Sequence, residues 1–569
     1  MTEEFRKTPP APLAPKPFNI PQPFEIELAN GLRVIIFENK RLPIVNFRLC
    51  FRFGEINSPQ DSRGLASAVA NLLTQGTAKR TSKELAEEVE NLGASLHASS
   101  SSDNTTISAS ALTMYRSEIL NLLAEILFEP SFPESELNLY KENTIKGLQF
   151  QRSQADFLAD EQTSRIIFGS HPYAKVSPTP EEVEKLNRQT LVNFHAQKFI
   201  PNNAMMIVVG DVNRDELLAE LNQVFGNWQR GSVEANEFSA PPARSEKTLT
   251  IVDRVGSAQS NIVLANLGIN RNHPDYFPII VMNQILGAGA SSRLFMNIRE
   301  DKGYTYGAYS SFDSRRLAGA FEATAEVRTA VTGDSLKEFF YELERIRDEQ
   351  VGADELQDAK NFLMGVFPIR AETQEGLTNL IVAQKLYDLP DDYLQTYRDN
   401  INAVTIEDVQ RVAQEYIHPD KVALVIVGDA EEILKQARPY AEKIEVFDTD
   451  GNPQDMAKYE QNADEAPANI NGKWNLAIDF QGQNLPVSFD LLQDDATFKG
   501  DFESPFGTGK INEGTISGKK LKASVSVDFQ GQTLEVLLNA NVENETSIKG
   551  LLVSQMEGLP DLPFSGNKE

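Results

Sequence analysis

Apolar and polar residues alternate where the folded part of the chain begins. Glutamates separate the apolar residues of segment 24–28, an Asn30-Gly31 pair follows, and an apolar run covers residues 32–37. Alternation with a period of two predicts a β-strand, and an Asn-Gly pair between two such segments predicts a hairpin turn. Residues 45–51 predict a further, largely apolar strand.

A helical period appears later in the chain, for example over residues 334–350, and such segments alternate with strands rich in β-branched residues. This arrangement occurs twice. The sequence of residues 198–211 recurs at 415–429, and Asn71-Leu72-Leu73 recurs near Asn283 at a nearly equal spacing. Similarity at one spacing over such a length indicates a duplicated unit. We therefore predict two homologous α/β halves, at residues 25–235 and 236–450.

The pattern changes after residue 450. Residues 451–470 are predicted to be a linker, and residues 471–569 alternate in short strands with glycine-containing turns. Asp479–Gln483 returns as Asp528–Gln532, and Phe498-Lys499-Gly500 resembles Ile548-Lys549-Gly550. Two four-strand repeats predict a small closed barrel or meander, because closure removes exposed strand edges. We expect Trp474 in its core, and a stabilising or spacing role rather than ligand binding.

The proline-rich start and the overall charge limit the possible partners. Residues 1–24 contain many prolines, which favour polyproline II, so we predict an arm that lies across a surface or reaches a partner. The 569 residues carry a formal net charge of −28. This charge argues against nucleic acid and against an anionic membrane surface as partners. A cavity for basic peptides is conceivable, but solubility is the simpler interpretation.

Other features bear on the cellular compartment. Cys50 is the single cysteine, which excludes an intrachain disulfide, and we expect it to be a buried thiol. No apolar run approaches the ~18 residues of a membrane-spanning helix. The first residues lack the basic start and apolar stretch of a secretory signal. The expected location is cytoplasmic, or periplasmic if a signal has been removed.

Residues 63–77 contain the spacing of a metal-binding helix without the ligands. Ser67 and Asn71 are four apart, so on a helix they lie on one side, where two histidines could share a zinc ion. Serine and asparagine are poor zinc ligands, and Ala70 between them offers no general base. Gly64, Leu65, Gly76 and Thr77 surround these positions.

This segment resembles the inverzincin metallopeptidases, the group of insulinase, pitrilysin and mitochondrial processing peptidase. In that family the segment carries H-x-x-E-H, which holds zinc and supplies the base. The resemblance implies that Ser67 and Asn71 replace the histidines and that Ala70 replaces the glutamate. The family takes its third ligand, a glutamate, from a position near Gly147. The nearest carboxylate, Glu142, is predicted to lie on a solvated helix face.

The second half contains the stronger functional signal. Within residues 298–307, Arg299 and Tyr306 match an arginine and a tyrosine of the family. The resemblance implies that this pair faces a chamber, binds the substrate peptide and stabilises the oxyanion beside a zinc ion of the opposite half. Arginine offers a fork of donors, and a phenol can donate to a developing oxyanion. The alternative is that Arg299 pairs with Glu300 and that Tyr306 packs in a strand.

Four further residues are predicted to contact substrate. Gly287 and Gly289 would let a backbone come close to a bound chain, although a plain loop before a helix would have the same composition. His97 and Ser99 lie in a segment that resembles the edge strand with which the family pairs substrate backbone. A lone histidine is more often structural. The other four histidines show no ligand spacing; they are His171, His195, His273 and His418.

The fold class predicted for the chain is α+β, with two homologous halves that form a clamshell and an all-β C-terminal domain. We interpret the chain as the metal-free subunit of a two-chain peptidase, with no cofactor of its own and no catalysis alone. A homologous partner would carry H-x-x-E-H and zinc, and the substrate would be a peptide or an unfolded polypeptide.

Two alternatives remain at this point. A non-enzymatic peptide-binding or scaffold protein of the same fold would explain the lost ligands equally well. An isolated peptidase with unusual ligands is the least favoured. The presence of both Arg299 and Tyr306 favours the two-chain peptidase.

Overall fold

The computed structural model describes residues 18–233, 237–460, 467–480, 483–504, 507–529, 532–554 and 562–569. The chain divides into two compact units, Met1–Asn452 and Pro453–Glu569. The first unit contains both α/β halves, and the second contains the β-domain.

The first half begins with the predicted hairpin, whose turn includes Gly31 at a φ of +88°. Its elements are β1 (Phe24–Glu27), β2 (Arg33–Glu38), β3 (Ile44–Phe51), α1 (Leu65–Leu72), α2 (Ser82–Asn91), β4 (Ser95–Ser100), β5 (Thr105–Leu112), α3 (Arg116–Phe128), α4 (Glu134–Arg152), α5 (Ala155–Phe168), α6 (Pro180–Lys185), α7 (Arg188–Lys198), β6 (Ala204–Gly210) and α8 (Arg214–Phe225).

The second half repeats this order and includes a π-helix, Phe295–Asp301. Its other elements are β7 (Thr248–Asp253), β8 (Gln259–Gly268), α9 (Tyr276–Leu286), β9 (Thr305–Ser314), β10 (Gly319–Arg328), α10 (Thr332–Asp348), α11 (Ala353–Glu372), α12 (Gln374–Leu386), α13 (Tyr393–Ala403), α14 (Ile406–Tyr416), β11 (Ala423–Gly428), α15 (Ala430–Ala437) and β12 (Lys443–Phe447).

Each half is built on a six-stranded sheet. The strand orders are β1-β2-β6-β3-β5-β4 and β12-β7-β11-β8-β10-β9. The last five strands of the two orders correspond one to one. Each sheet ends in an edge strand, β4 or β9, which forms a hairpin with the strand that follows it in the chain, β5 or β10. The first position differs: β1 pairs antiparallel with β2, whereas β12 pairs parallel with β7. The predicted pair of homologous halves is confirmed.

The two halves exchange a helix. Helix α5 of the first half packs on the second sheet, where Leu158, Ala159 and Phe168 join one apolar cluster with residues of that sheet. The sheet residues are Val252, Val263, Ala265, Ala320, Ala423, Val425 and Val427. Because these side chains alternate along their strands, they form one continuous apolar face. A helix from the other half therefore covers this face.

The reciprocal contact is made by α12 of the second half, which packs on β6 and β3. Polar contacts accompany it: Asn46 Nδ2 donates to Gln374 Oε1 at 3.3 Å, and Arg48 forms an ion pair with Glu375 at 2.5 Å. Cys50 is fully buried, and burial raises the pKa of its thiol to about 11. The expectation of a buried thiol is confirmed.

The described part of the N-terminal arm lies on the second half. The rings of Phe18 and Phe367 meet edge to face at 6.2 Å, and Gln395 Nε2 donates to the carbonyl of Ile20 at 2.8 Å. Ile20 is buried. The arm therefore lies across a surface of its own chain from residue 18 onward. Residues 1–17 of the predicted arm lie outside the described residues.

The C-terminal unit contains a closed barrel. Its elements are α16 (Ala457–Glu460), β13 (Gly472–Phe480), β14 (Gln483–Asp494), β15 (Thr497–Ser504), β16 (Gly507–Ser517), β17 (Lys520–Phe529), β18 (Gln532–Asn544), β19 (Ser547–Ser554) and β20 (Leu562–Lys568). Neighbouring strands pair antiparallel, and β13 closes on β20. The repeated segments 479–483 and 528–532 each include the end of one strand and the start of the strand paired with it, and their central residues lie outside the described residues.

Trp474 is fully buried in the barrel core, as predicted, and its indole nitrogen donates to the carbonyl of Ile470 at 2.9 Å. Ile470 is itself buried in this core. The end of segment 451–470, the predicted linker, is therefore part of the barrel, because its last residue, Ile470, is buried in the barrel core. In the described residues, no helix has the length and apolar character needed to cross a membrane.

The helix exchange predicts that neither half is stable alone. Residues 25–235 expressed alone should be insoluble or poorly packed, because the face of β3 and β6 covered by α12 would meet water. Residues 1–452 should instead unfold within about 1 °C of the full chain, the shift that about 1 kcal/mol produces in a unit of this length. Thermal unfolding followed by near-UV circular dichroism measures both. A cooperative transition in residues 25–235 would contradict the interpretation.

Candidate functional site

Helix α1 carries the segment that resembles the family's zinc motif and is integrated into the core. Ala70 is buried, Ser67 is half-buried and Asn71 is exposed. Gly64, just before the helix, has a φ of +84°, a conformation that favours glycine. The frame of the motif is therefore kept for reasons of backbone geometry and packing.

A carboxylate near this helix, that of Glu55, binds backbone groups. Its Oε1 accepts from the amide of Ser67 at 2.6 Å, and its Oε2 accepts from the amide of Gly64 at 3.0 Å. Ser58 Oγ donates to the same carboxylate at 3.0 Å and accepts from the amide of Ala66 at 3.1 Å. These contacts satisfy the free amides of the first helical turn, and the negative charge suits a helix N-terminus. Glu55 acts as a cap.

The position of the third ligand is equally altered. Gly147 is exposed on α4, and a Cβ built there would meet nothing within 4 Å. Glu142 is 68% exposed and lies 3.8 Å from Lys146, so it belongs to a solvated helix face, as predicted. Among the described residues, no group of three or more histidine, cysteine, aspartate or glutamate side chains is arranged to hold a metal ion.

Arg299 lies on the π-helix of the second half. Its Nη1 is 3.2 Å from Glu300 Oε1, and its guanidinium carbon lies 4.6 Å from the centre of the Phe295 ring. The pairing with Glu300 is the alternative raised from the sequence. Both side chains are exposed by more than 40%, and such pairs contribute little free energy. π-helical turns occur often at functional sites.

Tyr306 is 92% exposed, so its side chain does not pack in the sheet. It lies on edge strand β9 at a β-bulge: Ala308 pairs with Ala325 and Thr305 with Val327, so Tyr306 and Gly307 together face Glu326. Bulges redirect side chains and are common beside active sites. The bulge therefore turns the phenol outward from the sheet.

An aromatic contact links the two predicted residues. The Phe295 ring, which supports Arg299, lies 5.7 Å from the ring of Tyr309 on β9. The Tyr309 ring in turn covers Gly307, where a Cβ would lie 2.5 Å from it. Arg299 and the bulge of Tyr306 thus adjoin one cluster, Phe295 with Tyr309. Tyr309 is not among the residues predicted from the sequence, although its position in a segment with strand character was a usable signal.

Packing within the chain itself accounts for a glycine at residue 287. Its carbonyl accepts from the amide of Ser310 at 2.9 Å, and a Cβ at residue 287 would collide with that serine. Ser310 Oγ also donates to Asn283 Oδ1 at 2.7 Å. Gly289 is half-buried beside Gln284. The close approach seen at Gly287 is therefore to strand β9, and substrate contact by Gly287 and Gly289 stays a prediction.

His97 and Ser99 are exposed on β4, the edge strand of the first sheet. Their side chains lie on the same face of the strand, and the two residues pair with Ser108 and Thr106 of β5. This surface offers hydroxyl groups and one imidazole beside the free edge of a sheet. Contact with a peptide stays a prediction. Of the other histidines, His195 is structural: burial lowers its pKa to about 4, and its Nε2 lies 2.9 Å from the Leu127 carbonyl.

A group of carboxylates was not foreseen from the sequence. Glu322 of β10 is half-buried, and burial together with the nearby charges of Asp160 and Asp313 raises its pKa to about 7. Arg315 partly offsets this rise and pairs with Asp313 at 2.5 Å. Asp160 comes from α5 of the other half. The group therefore lies where the halves meet, which no local pattern could show.

Comparison with known proteins identifies relatives of both halves. Residues 33–177 match the family model described as Insulinase (Peptidase family M16), and residues 185–363 match the one described as Peptidase M16 inactive domain. The "Uncharacterized zinc protease YmxG" of Bacillus subtilis is 22% identical over 401 residues, which cover 70% of this chain and 96% of that protein.

Two further relatives bear on the absence of zinc ligands. The "Non-peptidase homolog YmxG" of Helicobacter pylori is 26% identical over 406 residues, which cover 70% of this chain and 91% of that protein. The crystal structure of a peptidase M16 inactive domain from Pseudomonas fluorescens superimposes with a TM-score of 0.67 at 27% identity. That match covers 71% of this chain and 98% of the other.

The purified chain should contain no stoichiometric zinc, because Ser67, Ala70 and Asn71 supply neither ligand nor base. Elemental analysis after dialysis measures this. The matched variant Ser67→His/Asn71→His restores an i, i+4 histidine pair and should bind added zinc measurably. One tightly held zinc ion per wild-type chain would contradict the prediction.

Glu322 should make the stability of the chain depend on pH. Its folded pKa of about 7 lies above the ordinary value of 4.5, so the folded state holds more protons than the unfolded state between these values. The contribution is therefore favourable at pH 4.5 and is lost as the pH rises to about 7. Glu322→Gln should raise the melting temperature relative to wild type at pH 8 but not at pH 5. Glu326→Gln, on an exposed carboxylate of the same strand, is the control and should not reproduce that difference.

Proposed function

Since this chain belongs to the insulinase-like peptidase family M16 as a member without the zinc ligands, we propose that it is the metal-free subunit of a two-chain peptidase. A homologous subunit with H-x-x-E-H would hold the zinc ion. This chain would bind the substrate peptide and contribute Arg299 and Tyr306 to the shared site.

The observation that carries the proposal is the exposure of Tyr306. An apolar ring that is 92% exposed on an edge strand gains nothing from packing, and the bulge that directs it outward interrupts strand pairing. Such an arrangement suits a phenol that meets a ligand. The neighbouring guanidinium of Arg299 is held against Phe295 and is only weakly paired with Glu300.

The chemistry of these two groups suits acyl transfer to water. Zinc held by the partner's H-x-x-E-H would supply the attacking water, and attack on a peptide carbonyl would place negative charge on the carbonyl oxygen. The phenol of Tyr306 would donate a hydrogen bond to that oxygen, and Arg299 would donate to a carbonyl of the substrate and favour the charge. The free edges of β9 and β4 would pair with the extended backbone.

A scaffold or peptide-binding role is the second candidate. One observation supports it specifically: Arg299 already has a partner in Glu300 at 3.2 Å, as a vestigial residue would. The name of the Helicobacter pylori relative, a non-peptidase homolog, is consistent with the same role. In that case the chain would bind a peptide or a protein through the same edges without supporting hydrolysis.

Arg299→Ala and Tyr306→Phe separate the two candidates. In a mixture with a zinc-bearing homologous subunit, each substitution should lower turnover by about 10²-fold, the effect of losing one oxyanion donor, while the complex persists. Peptide cleavage is measured beside size-exclusion chromatography of the mixture. Tyr341→Phe removes an exposed phenol from α10 and serves as the control.

Two results would remove this chain from the catalytic site. In one, both variants retain wild-type turnover in intact complexes. In the other, complex formation and turnover are lost together, which indicates that the residues act in assembly.

A further inference from the structure

The two edge hairpins meet at one set of hydrogen bonds. Tyr173 Oη donates to Asp103 Oδ1 at 2.5 Å, and Asp103 Oδ2 accepts from the amide of Arg316 at 3.2 Å. Tyr173 Oη also accepts from the amide of Leu317 at 3.3 Å. We call these four residues the inter-half hub. Asp103 belongs to the β4–β5 turn, and Arg316 and Leu317 belong to the β9–β10 turn.

Two members of the inter-half hub, Tyr173 and Asp103, are protected from water, and the bonds from the Arg316 and Leu317 amides are partly buried. Tyr173 is 1% exposed and Asp103 is 8% exposed. The guanidinium carbon of Arg315 lies 5.0 Å from the centre of the Tyr173 ring. Burial and the adjacent carboxylate raise the pKa of Tyr173, so its hydroxyl remains a donor at every physiological pH.

The two turns of the inter-half hub lie apart from the inner strands that the exchanged helices cover, whereas Tyr173 itself packs on Phe168 of α5 with ring centres 5.6 Å apart. Helix α5 contacts β8 and β11, and α12 contacts β6 and β3, which are inner strands of the two sheets. The edge strands β4 and β9 lie further out. Their C-terminal ends, Ser100 and Ser314, run directly into the two turns that the hub joins. A hydrogen bond at these turns therefore acts on the outer strands of both sheets.

We propose that the inter-half hub sets the spacing between the edge strands β4 and β9, with Asp103 and Tyr173 as positioning residues. The inference rests on the proposed function, in which a bound peptide uses these two edges. A peptide bound to one edge strand can contact the side chains of the other edge strand only when the two strands lie a defined distance apart. Misplacement by about 1 Å can cost 10²-fold in rate when reacting groups must be aligned.

The chain is suited to a distance measurement between the edges. Cys50 is fully buried with a raised thiol pKa, so it should not react with a spin label. Ser99 of β4 and Ser311 of β9 are exposed, and the pair Ser99→Cys/Ser311→Cys places one label on each edge. Pulsed electron–electron double resonance on the full chain then gives the distribution of distances between the two labels, with neither partner nor substrate present.

Tyr173→Phe keeps the ring and removes the hydroxyl that joins Asp103 to Leu317. The matched control is Tyr416→Phe, since Tyr416 Oη donates to Asp275 Oδ2 at 2.8 Å within the second half. The proposal predicts a distance distribution that broadens and shifts in Tyr173→Phe and stays at the wild-type form in Tyr416→Phe. The Leu317 amide should exchange about fivefold faster with solvent in Tyr173→Phe, the factor for one ordinary hydrogen bond.

Unchanged distances in Tyr173→Phe would overturn the proposal, and so would equal broadening in Tyr416→Phe, which would indicate general loosening. If Tyr173→Phe does not fold, Asp103→Asn gives a second test, because asparagine keeps one acceptor oxygen and loses the other. Wild-type label distances in a folded Asp103→Asn would also contradict the proposal. The distances are read in the isolated chain. A failure of peptidase activity in the mixture would therefore leave this result intact, and the converse also holds.

Discussion

The burial of one face of each sheet by a helix of the other half is the interaction on which the first unit depends. Helix α5 covers the second sheet through Leu158 and Phe168, and α12 covers the first sheet beside Asn46 and Cys50. An uncovered sheet face of this kind would expose a large apolar area to water. The two halves are therefore one cooperative structure, and the elements that could carry function are attached to it at the edges.

Helix α1 does not need metal ligands at residues 67 and 71 in order to be stable. Helix α1 keeps its buried apolar residues and its capped N-terminus, in which Glu55 accepts from the amides of Gly64 and Ser67. Packing and capping stabilise a helix independently of any side chain at the ligand positions. A member of this family can therefore give up zinc and keep its fold, which is compatible with a catalytic partner and with a binding role alike.

The features that could serve a substrate converge on strand β9. The bulge at Tyr306, the Phe295–Tyr309 contact beside Arg299 and the close approach of Gly287 to Ser310 all involve this edge strand or the elements that support it. An edge strand has free backbone donors and acceptors on one side. A rigid support behind such an edge fixes the direction of its side chains, which recognition of an extended chain requires.

The sequence by itself determined the two homologous halves, an all-β C-terminal domain with Trp474 in its core, and a helix on which Ser67 and Asn71 have the spacing but not the chemistry of zinc ligands, because periodicity, repetition and ligand chemistry are local properties. Only the tertiary structure decided that the halves exchange helices, that Tyr306 points outward at a bulge, and that Glu322 lies near Asp160. These features depend on contacts between residues far apart in the chain. Alternation along a regular strand indicates which face of the sheet each side chain occupies, but a bulge changes that face. The surroundings of a carboxylate are set by the helix that packs against it.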